Sequence, residues 1–334
     1  MKDSDYAEAT GYIRAVEKRL LNTAGLERVL AAPSAADALR LLSQTGAYDF
    51  GMCKRPADYE DVLKGELRRV YEMMYKLSPA PDAADILSLK YDFHNVKAVL
   101  KARYAGQDAS GFLYDVTRTP PEAVTKAVAS GDTGDLPGHL ADAVAQGKAA
   151  FEATGAPGPI DLALDRLMFA EMRRRADRLG SALILEYVQK AIDLYNMKTL
   201  FRVRAMGDRA GRGLLRSALA GGGGIAPGDY VDWLPKSDDA VAAAFHFKFF
   251  GDAVKIGLED HDRSGHWALL EKLSDDILLE HVKKAKYVVF GPEPLFAYLC
   301  AKENELRQIR VILTGKLNRL PGDEIQKRLR VCYV

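Results

Sequence analysis

Residues 193–204 read Asp193-Leu-Tyr-Asn196-Met-Lys198-Thr-Leu-Phe-Arg-Val-Arg204, and the same order of residue types occurs in two other places. Each copy runs acid, two residues, amide, apolar residue, base, one residue, two apolar residues, two residues and a final base. A pattern that occurs three times predicts a chain built from repeated structural units. The residues that define it are Asp92, Asn95, Lys97 and Arg103 in the first copy, Asp193, Asn196, Lys198 and Arg204 in the second, and Glu305, Gln308, Arg310 and Lys316 in the third.

Each copy is predicted to lie on a largely buried helix. On a helical wheel, Phe93, Val96 and Leu100 form one apolar stripe, and Asp92 and Arg103 fall inside it. The acid and the final base lie about 16 Å apart along the axis, too far to pair with each other. A buried charge without a partner is costly, so we expect a base or amide of another helix to satisfy each acid. We assign the repeated residues a structural role, because one active site is not expected three times in one chain.

Helix signals dominate the rest of the chain, which predicts an all-α fold. Ser34 precedes an apolar-periodic stretch and is a good N-cap for a helix. A helix with a basic outer face is predicted over 160–179, and Gly180-Ser181 separates it from a second helix over 182–204.

Pro-Gly pairs follow the copies and divide the chain. Pro137, Pro227 and Pro321 each precede another apolar-periodic stretch, and proline suits the first turn of a helix. We expect three helical lobes, with approximate bounds of 12–125, 126–226 and 227–334. From Pro227 to Gln308 is 81 residues, about 20 more than from Pro137 to Asn196, and the acidic segment Glu259–His266 is predicted to be an inserted loop.

The charge of the chain is balanced overall but unevenly spread. The net charge is +1, so the chain has no global field that would attract nucleic acid or an acidic membrane. Residues 166–216 carry twelve bases and five acids, whereas residues 229–276 carry five bases and eleven acids. The simpler interpretation is that both stretches are solvated helix faces. The alternative is that they form two surfaces that bind different partners. Arg173, Arg174 and Arg175 are the candidate partner contacts.

Several kinds of site are not expected. Three widely spaced cysteines favour a reducing compartment over a disulfide framework. The chain has no GxxxxGK[ST] motif, and Gly221–Gly224 is predicted to be a flexible loop rather than a phosphate site. His261 and His266 lie among acids, but their spacing matches no helical pair of metal ligands. We expect no catalytic residue, no cofactor, no metal site and no nucleic-acid partner.

Several stretches, in the right order, resemble one known family. They are the opening helix Tyr12–Leu21, the segment Ser34–Tyr48, the two Asp-x-x-Asn-[Val/Met]-Lys helices, and the C-terminal stretches Glu303–Arg310 and Arg328–Tyr333. Together they resemble the C subunit of the V/A-type ATPases and ATP synthases, a relative of the d subunit of the eukaryotic vacuolar pump. The resemblance spans nearly the whole chain.

The resemblance implies a funnel of three similar lobes that acts as a non-catalytic socket in a rotary machine. The socket sits on the cytoplasmic end of the membrane ring of proteolipids, and it receives the central axle made of the D and F subunits. It transmits torque between ATP chemistry and the movement of protons or sodium ions. The chain would be peripheral, meet the membrane only through the ring, and be a monomer in isolation. The alternative from the residues alone is a helical-repeat adaptor with unrelated partners and an open, elongated shape.

Overall fold

The structure is a computed structural model that describes residues 2–80, 82–206 and 211–334. Over these residues it consists of α-helices, short 3-10 helices and connecting turns, without a β-strand. The predicted all-α fold is confirmed. In chain order the helices are α1 (Ala7–Val16), α2 (Thr23–Leu30), α3 (Ala35–Gln44), α4 (Tyr59–Leu77), α5 (Asp82–Ala105), α6 (Pro121–Ser130), α7 (Gly138–Glu152), α8 (Gly158–Leu179), α9 (Ala182–Ala205), α10 (Arg212–Ala218), α11 (Pro227–Trp233), α12 (Asp238–Phe245), α13 (Gly251–Ser264), α14 (Ala268–Val282), α15 (Glu293–Leu317) and α16 (Gly322–Gln326).

The chain divides into two compact units. The terminal unit contains Met1–Pro81 and Asp238–Val334, and the central unit contains Asp82–Ser237. The third copy of the pattern lies in the terminal unit, and the first two lie in the central unit. The expected lobe boundary at 125/126 falls inside α6, whereas the one at 226/227 coincides with the start of α11. The division into three lobes stays a prediction.

The central unit is organised around the helices that carry the first two copies. α5 packs against α6, α7 and α8, and α9 packs against α8, α10 and α11. Phe93, Val96 and Leu100 are fully or almost fully buried on α5, as are Met197 and Leu200 on α9. Burial of one such side chain stabilises the fold by about 1.5–3 kcal/mol.

The terminal unit is organised around α15. This helix packs against α1, α2, α3, α4 and α14. Sixteen of its 25 residues are buried, more than the single stripe of a surface helix, so α15 is the central helix of its unit.

Three local signals read from the sequence agree with the structure. The Ser34 side chain accepts a hydrogen bond from the Asp37 N–H at 3.1 Å and caps α3. Gly180 ends α8 with φ of 75°, in the left-handed region that favours glycine. Ser181 then caps α9 by accepting from the Ile184 N–H. The predicted helices over 160–179 and 182–204 are confirmed within one or two residues at each end.

The acidic segment Glu259–His266 was predicted to be a loop, and this prediction is wrong. Most of it belongs to α13, where Val254 and Leu258 are buried and the acids lie mainly on the outer face. The His261 ring stacks on the Trp267 ring at 3.8 Å. Within the described ranges, no group of three His, Cys, Asp or Glu side chains is arranged to hold a metal ion. Every described helix is too short or too polar to span a bilayer.

Candidate functional site

The amide of each copy binds the backbone of a crossing segment downstream. Asn95 donates to the Tyr114 carbonyl at 2.8 Å and accepts from the Tyr114 N–H at 2.9 Å. Asn196 makes the same pair of bonds with Ala220, both at 2.8 Å. Both amides are fully buried, so these bonds satisfy groups that have no access to water.

The third amide makes a weaker version of this contact. Gln308 Nε2 donates to the Val331 carbonyl at 3.5 Å, and Gln308 Oε1 is buried without a hydrogen-bond partner among the described residues. Glutamine is one methylene longer than asparagine, and here only its nitrogen forms hydrogen bonds, the second of them to Cys332 Sγ at 3.9 Å. The crossing segment of the third copy is therefore held less tightly by its amide.

The final base of each copy caps the C-terminus of a short helix. Such a cap supplies donors to carbonyls that the helix leaves unpaired, and it places a positive charge at the negative end of the helix dipole. The capped helices are α6, α11 and α2. The bonds run from Arg103 to the carbonyls of Val128 and Ala129, from Arg204 to those of Trp233, Leu234 and Lys236, and from Lys316 to those of Leu30 and Ala32.

The acid of each copy lies beside the segment that leads into the same short helix. Asp193 accepts from the N–H groups of Gly224 at 2.9 Å and Ile225 at 3.1 Å, just ahead of α11. Glu305 accepts from the Leu21 N–H, just ahead of α2. Asp92 lies beside Thr117, four residues ahead of α6, and this side chain acts to lower the pKa of Asp92. The Thr117 hydroxyl itself donates to the Thr119 carbonyl at 2.9 Å.

In each copy, the acid and the final base together bracket one short helix. We call this arrangement the polar clamp. The acid lies beside the N-terminal lead of the short helix and the base lies at its C-terminus, so the two helices run in the same direction. The spacing of about 16 Å between acid and base suits a helix of seven to ten residues, which is about 10–15 Å long. The pairs are α5 with α6, α9 with α11, and α15 with α2. The third short helix therefore comes from the beginning of the chain.

The clamp partners differ in kind from those expected from the sequence. We expected a base or an amide of another helix for each acid, whereas Asp193 is held by backbone N–H groups of a loop. Glu305 does receive a base, but Lys302 lies on its own helix. All three acids are buried, with 3–6% of their surface exposed.

The four-glycine segment Gly221–Gly224 is part of the second clamp. A Cβ atom at Gly223 would lie 2.2 Å from Asp193 Oδ1, so only glycine admits this approach of the carboxylate. The Gly222 carbonyl accepts from Arg173 Nη1 at 2.6 Å. The segment is thus bonded to two helices, which differs from the flexible loop predicted from its composition.

The second base of the pattern ties the repeated helix to a neighbour. Lys97 on α5 pairs with Asp165 on α8, and Arg310 on α15 makes a bidentate pair with Glu60 on α4 at 2.7 and 2.9 Å. Lys198 lies half-buried at the corresponding position of α9. These pairs link helices far apart in sequence, and the pattern itself indicated none of them.

Asp92 differs electrostatically from the other two acids. Burial raises its pKa to about 7, while the neighbouring Thr117 side chain and the Arg175 charge act in the opposite direction. The nearby Asp85 carboxylate raises it further. Asp92 Oδ1 is buried without a hydrogen-bond partner among the described residues. The first clamp therefore holds an acid that is protonated in part near neutral pH.

The third clamp extends into a buried ionic cluster that no sequence signal indicated. Lys302 Nζ lies 2.7 Å from Glu305, 3.1 Å from Glu66 and 3.0 Å from the Tyr48 hydroxyl. Burial and the Glu305 charge raise the pKa of Tyr48 well above its usual value. Arg69 pairs with the outer side of Glu66. The negative charges of the two carboxylates are balanced by the positive charges of the two bases. This pairing offsets the free-energy cost of burying the charges.

Of the three arginines predicted to contact a partner, only Arg174 is mainly exposed. Its side chain is 59% exposed, compared with 28% for Arg173 and 13% for Arg175. Although burial acts against ionisation of Glu171, hydrogen bonds from Arg174 and Arg175 hold its pKa at about 2. These arginines therefore have partners within the chain. Residues 207–210 of the basic stretch lie outside the described residues.

Comparison with known proteins gives a match along almost the whole chain. The family model for the ATP synthase (C/AC39) subunit matches residues 9–328. The C subunit of the V-type sodium ATPase of Enterococcus hirae is 26% identical, over 98% of this chain and 99% of that protein. The C subunits of the A-type ATP synthases of Methanocaldococcus jannaschii and Methanothermobacter thermautotrophicus are 24% and 25% identical. These alignments cover 97% and 95% of this chain, and 86% and 85% of the relatives.

Proposed function

The chain belongs to the ATP synthase (C/AC39) subunit family, and we propose that it is a non-catalytic central-rotor subunit of a V/A-type rotary ATPase or ATP synthase. In this role it is a socket that couples the central axle, made of the D and F subunits, to the proteolipid ring. The observation that carries the proposal is the family match over residues 9–328. Relatives of similar length that are named as C subunits of such complexes support it.

The polar clamps suit a part that transmits torque. Such a part has to keep its helices in place under load, and each clamp joins elements that are distant in sequence through bonds to backbone atoms. In the second clamp these bonds bridge 29 to 32 residues, and in the third they bridge 284 to 286 residues. Hydrogen bonds that involve a charged group are about twice as strong as neutral ones.

The finer arrangement follows the family. The chain lies at the cytoplasmic face of the membrane as a peripheral part of the complex, and it meets the bilayer through the ring. It takes part in the transport of protons or sodium ions only through its coupling of the axle to the ring. Each of three lobes, with the approximate bounds 12–125, 126–226 and 227–334, contributes one of the repeated helices α5, α9 and α15. Because α2 completes the clamp of α15, we assign α2 to the third lobe.

Arg174 is the basic-stretch residue that we propose for contact with a partner. Its exposed guanidinium lies on α8 with a single acid beside it. Arg173 and Arg175 are engaged by Gly222, Asp85 and His139, so we assign them a structural role.

Capture experiments test the proposal. The purified chain is mixed with the D–F axle and, separately, with the detergent-solubilised ring, and we expect it to bind both. Arg174→Ala should weaken one of the two captures. Arg40→Ala is the matched control, since Arg40 is also exposed and pairs with an acid three residues earlier on another helix. A folded chain that binds neither axle nor ring would refute the rotor role.

A further inference from the structure

An exposed apolar segment begins at the last residue of the short 3-10 helix Lys283–Tyr287 in the terminal unit. Tyr287 is 89% exposed, Val289 70% and Phe290 45%. Residues of this size are normally buried, and three of them within four positions form a patch rather than scattered exposure.

The patch is held in place rather than being a free loop. Arg14 Nη2 donates to the carbonyls of Ala285 and Val288, both at 2.9 Å, and to that of Lys286 at 3.2 Å. Glu17 pairs with Arg14 at 3.0 Å and orients its guanidinium. The backbone is therefore anchored on the inner side while the apolar side chains point to solvent.

The chain segment that carries the patch is basic. Residues 281–292 contain three lysines and no acid. Lys283 pairs with Glu280, whereas Lys284 and Lys286 are exposed. Lys286 Nζ donates to the Tyr333 carbonyl, which keeps this charge beside the patch.

This composition fits a lipid surface better than a protein surface. Lysine is depleted in protein–protein interfaces, where arginine and aromatic residues are enriched. Lysines beside aromatic and aliphatic side chains are typical of segments that lie on anionic membranes, since the apolar groups enter the headgroup region and the ammonium groups meet the lipid charges.

We propose that the segment Lys283–Phe290, anchored by Arg14, binds the headgroup region of an anionic lipid bilayer. This contact is direct and adds to the contact through the ring. It does not depend on the axle or the ring, so it can be measured on the isolated chain.

Vesicle flotation tests the proposal. The full-length chain is mixed with phosphatidylcholine vesicles that contain or lack phosphatidylglycerol. We expect binding only to the anionic vesicles, and weaker binding as salt is added. Removal of one base in Lys284→Gln should weaken binding about fivefold. The double variant Tyr287→Ser with Val289→Ser should weaken it by about tenfold or more.

Phe247→Ser is the matched control, because Phe247 is 93% exposed elsewhere in the same unit, and it should bind as the wild type does. Circular dichroism verifies that each variant is folded. The proposal is overturned if the folded chain shows no preference for anionic vesicles, or if the double variant binds them as the wild type does. A double variant that keeps vesicle binding but loses capture of the axle or ring would assign the patch to a protein partner instead.

Discussion

The acid that opens each copy meets a different set of donors, although the three positions are equivalent in the pattern. Asp193 accepts from two backbone N–H groups, and Glu305 accepts from a backbone N–H, a hydroxyl and an ammonium group. Asp92 lies beside Thr117, whose hydroxyl donates to the Thr119 carbonyl, and Asp92 Oδ1 has no hydrogen-bond partner among the described residues. An ionised carboxylate in a buried site is stabilised in proportion to the donors that it receives, so the three residues should respond differently to loss of charge.

Asp92→Asn should stabilise the protein, and more so at high pH. Burial raises the pKa of Asp92 from 3.8 to about 7, because the buried site favours the neutral carboxyl over the carboxylate. The contribution of this carboxyl to the free energy of unfolding is therefore complete below about pH 4 and is lost as pH rises through 7, where the carboxyl ionises. Asparagine stays neutral at every pH and avoids this loss. We expect a gain of about 2–4 kcal/mol in the free energy of unfolding near pH 8, and little gain near pH 4. Urea unfolding at both pH values measures it.

Asp193→Asn is the control for this experiment. Its carboxylate accepts from two N–H groups, and the amide can replace only one oxygen as an acceptor. This variant should be destabilised near neutral pH by about 1–3 kcal/mol. A gain for Asp92→Asn that is equal at both pH values would contradict a raised pKa at this position.

Gly223→Ala should destabilise the second clamp. The added Cβ would displace the Asp193 carboxylate from the backbone N–H groups that it accepts from, which costs about 2 kcal/mol or more. Gly221→Ala provides the comparison, because nothing lies within 4 Å of a Cβ there. Thermal unfolding of both variants decides the matter, and equal melting temperatures would show that the close approach is unimportant.

At the level of elements, the sequence was informative where a signal is local. The cap at Ser34, the break at Gly180 and the helices on either side of it follow from residues that contact each other within a few positions. The twelve-residue pattern also located the three helices α5, α9 and α15.

The clamp partners could not be predicted because they are backbone groups. An N–H group such as that of Ile225 or Leu21 carries no residue-type signal, and which loop it lies in depends on the tertiary fold. The N-terminal helix α2 lacks the pattern, so nothing marked it as the partner of α15. The acidic face of α13 resembled a loop because its apolar face is narrow.

Loss of the cap at Lys316 should loosen α2 selectively. Lys316→Met removes the donor to the carbonyls of Leu30 and Ala32, which costs about 1 kcal/mol. Compared with the wild type, this variant should exchange the amide hydrogens of α2 faster, whereas those of α4 should exchange at the same rate. Lys327→Met removes only an exposed pair with Glu324 and should change neither. Uniformly faster exchange across the terminal unit would show that Lys316 acts on global stability and not as a cap.

At the level of the whole molecule, we assign the chain a mechanical task. The family match covers residues 9–328, so the assignment applies to the full length of the chain rather than to one unit. In the proposed role, the chain carries out no chemistry itself, and ATP turnover and ion movement are connected only when it is in place.

The most direct test is to remove the chain from membranes that contain the rotary complex and then to add it back. ATP hydrolysis and ATP-driven ion transport are measured before removal, after removal and after addition of the purified chain. We predict that hydrolysis persists without the chain, that transport stops, and that the wild-type chain restores transport. Ion transport that continues unchanged after complete removal of the chain would contradict the proposed coupling role.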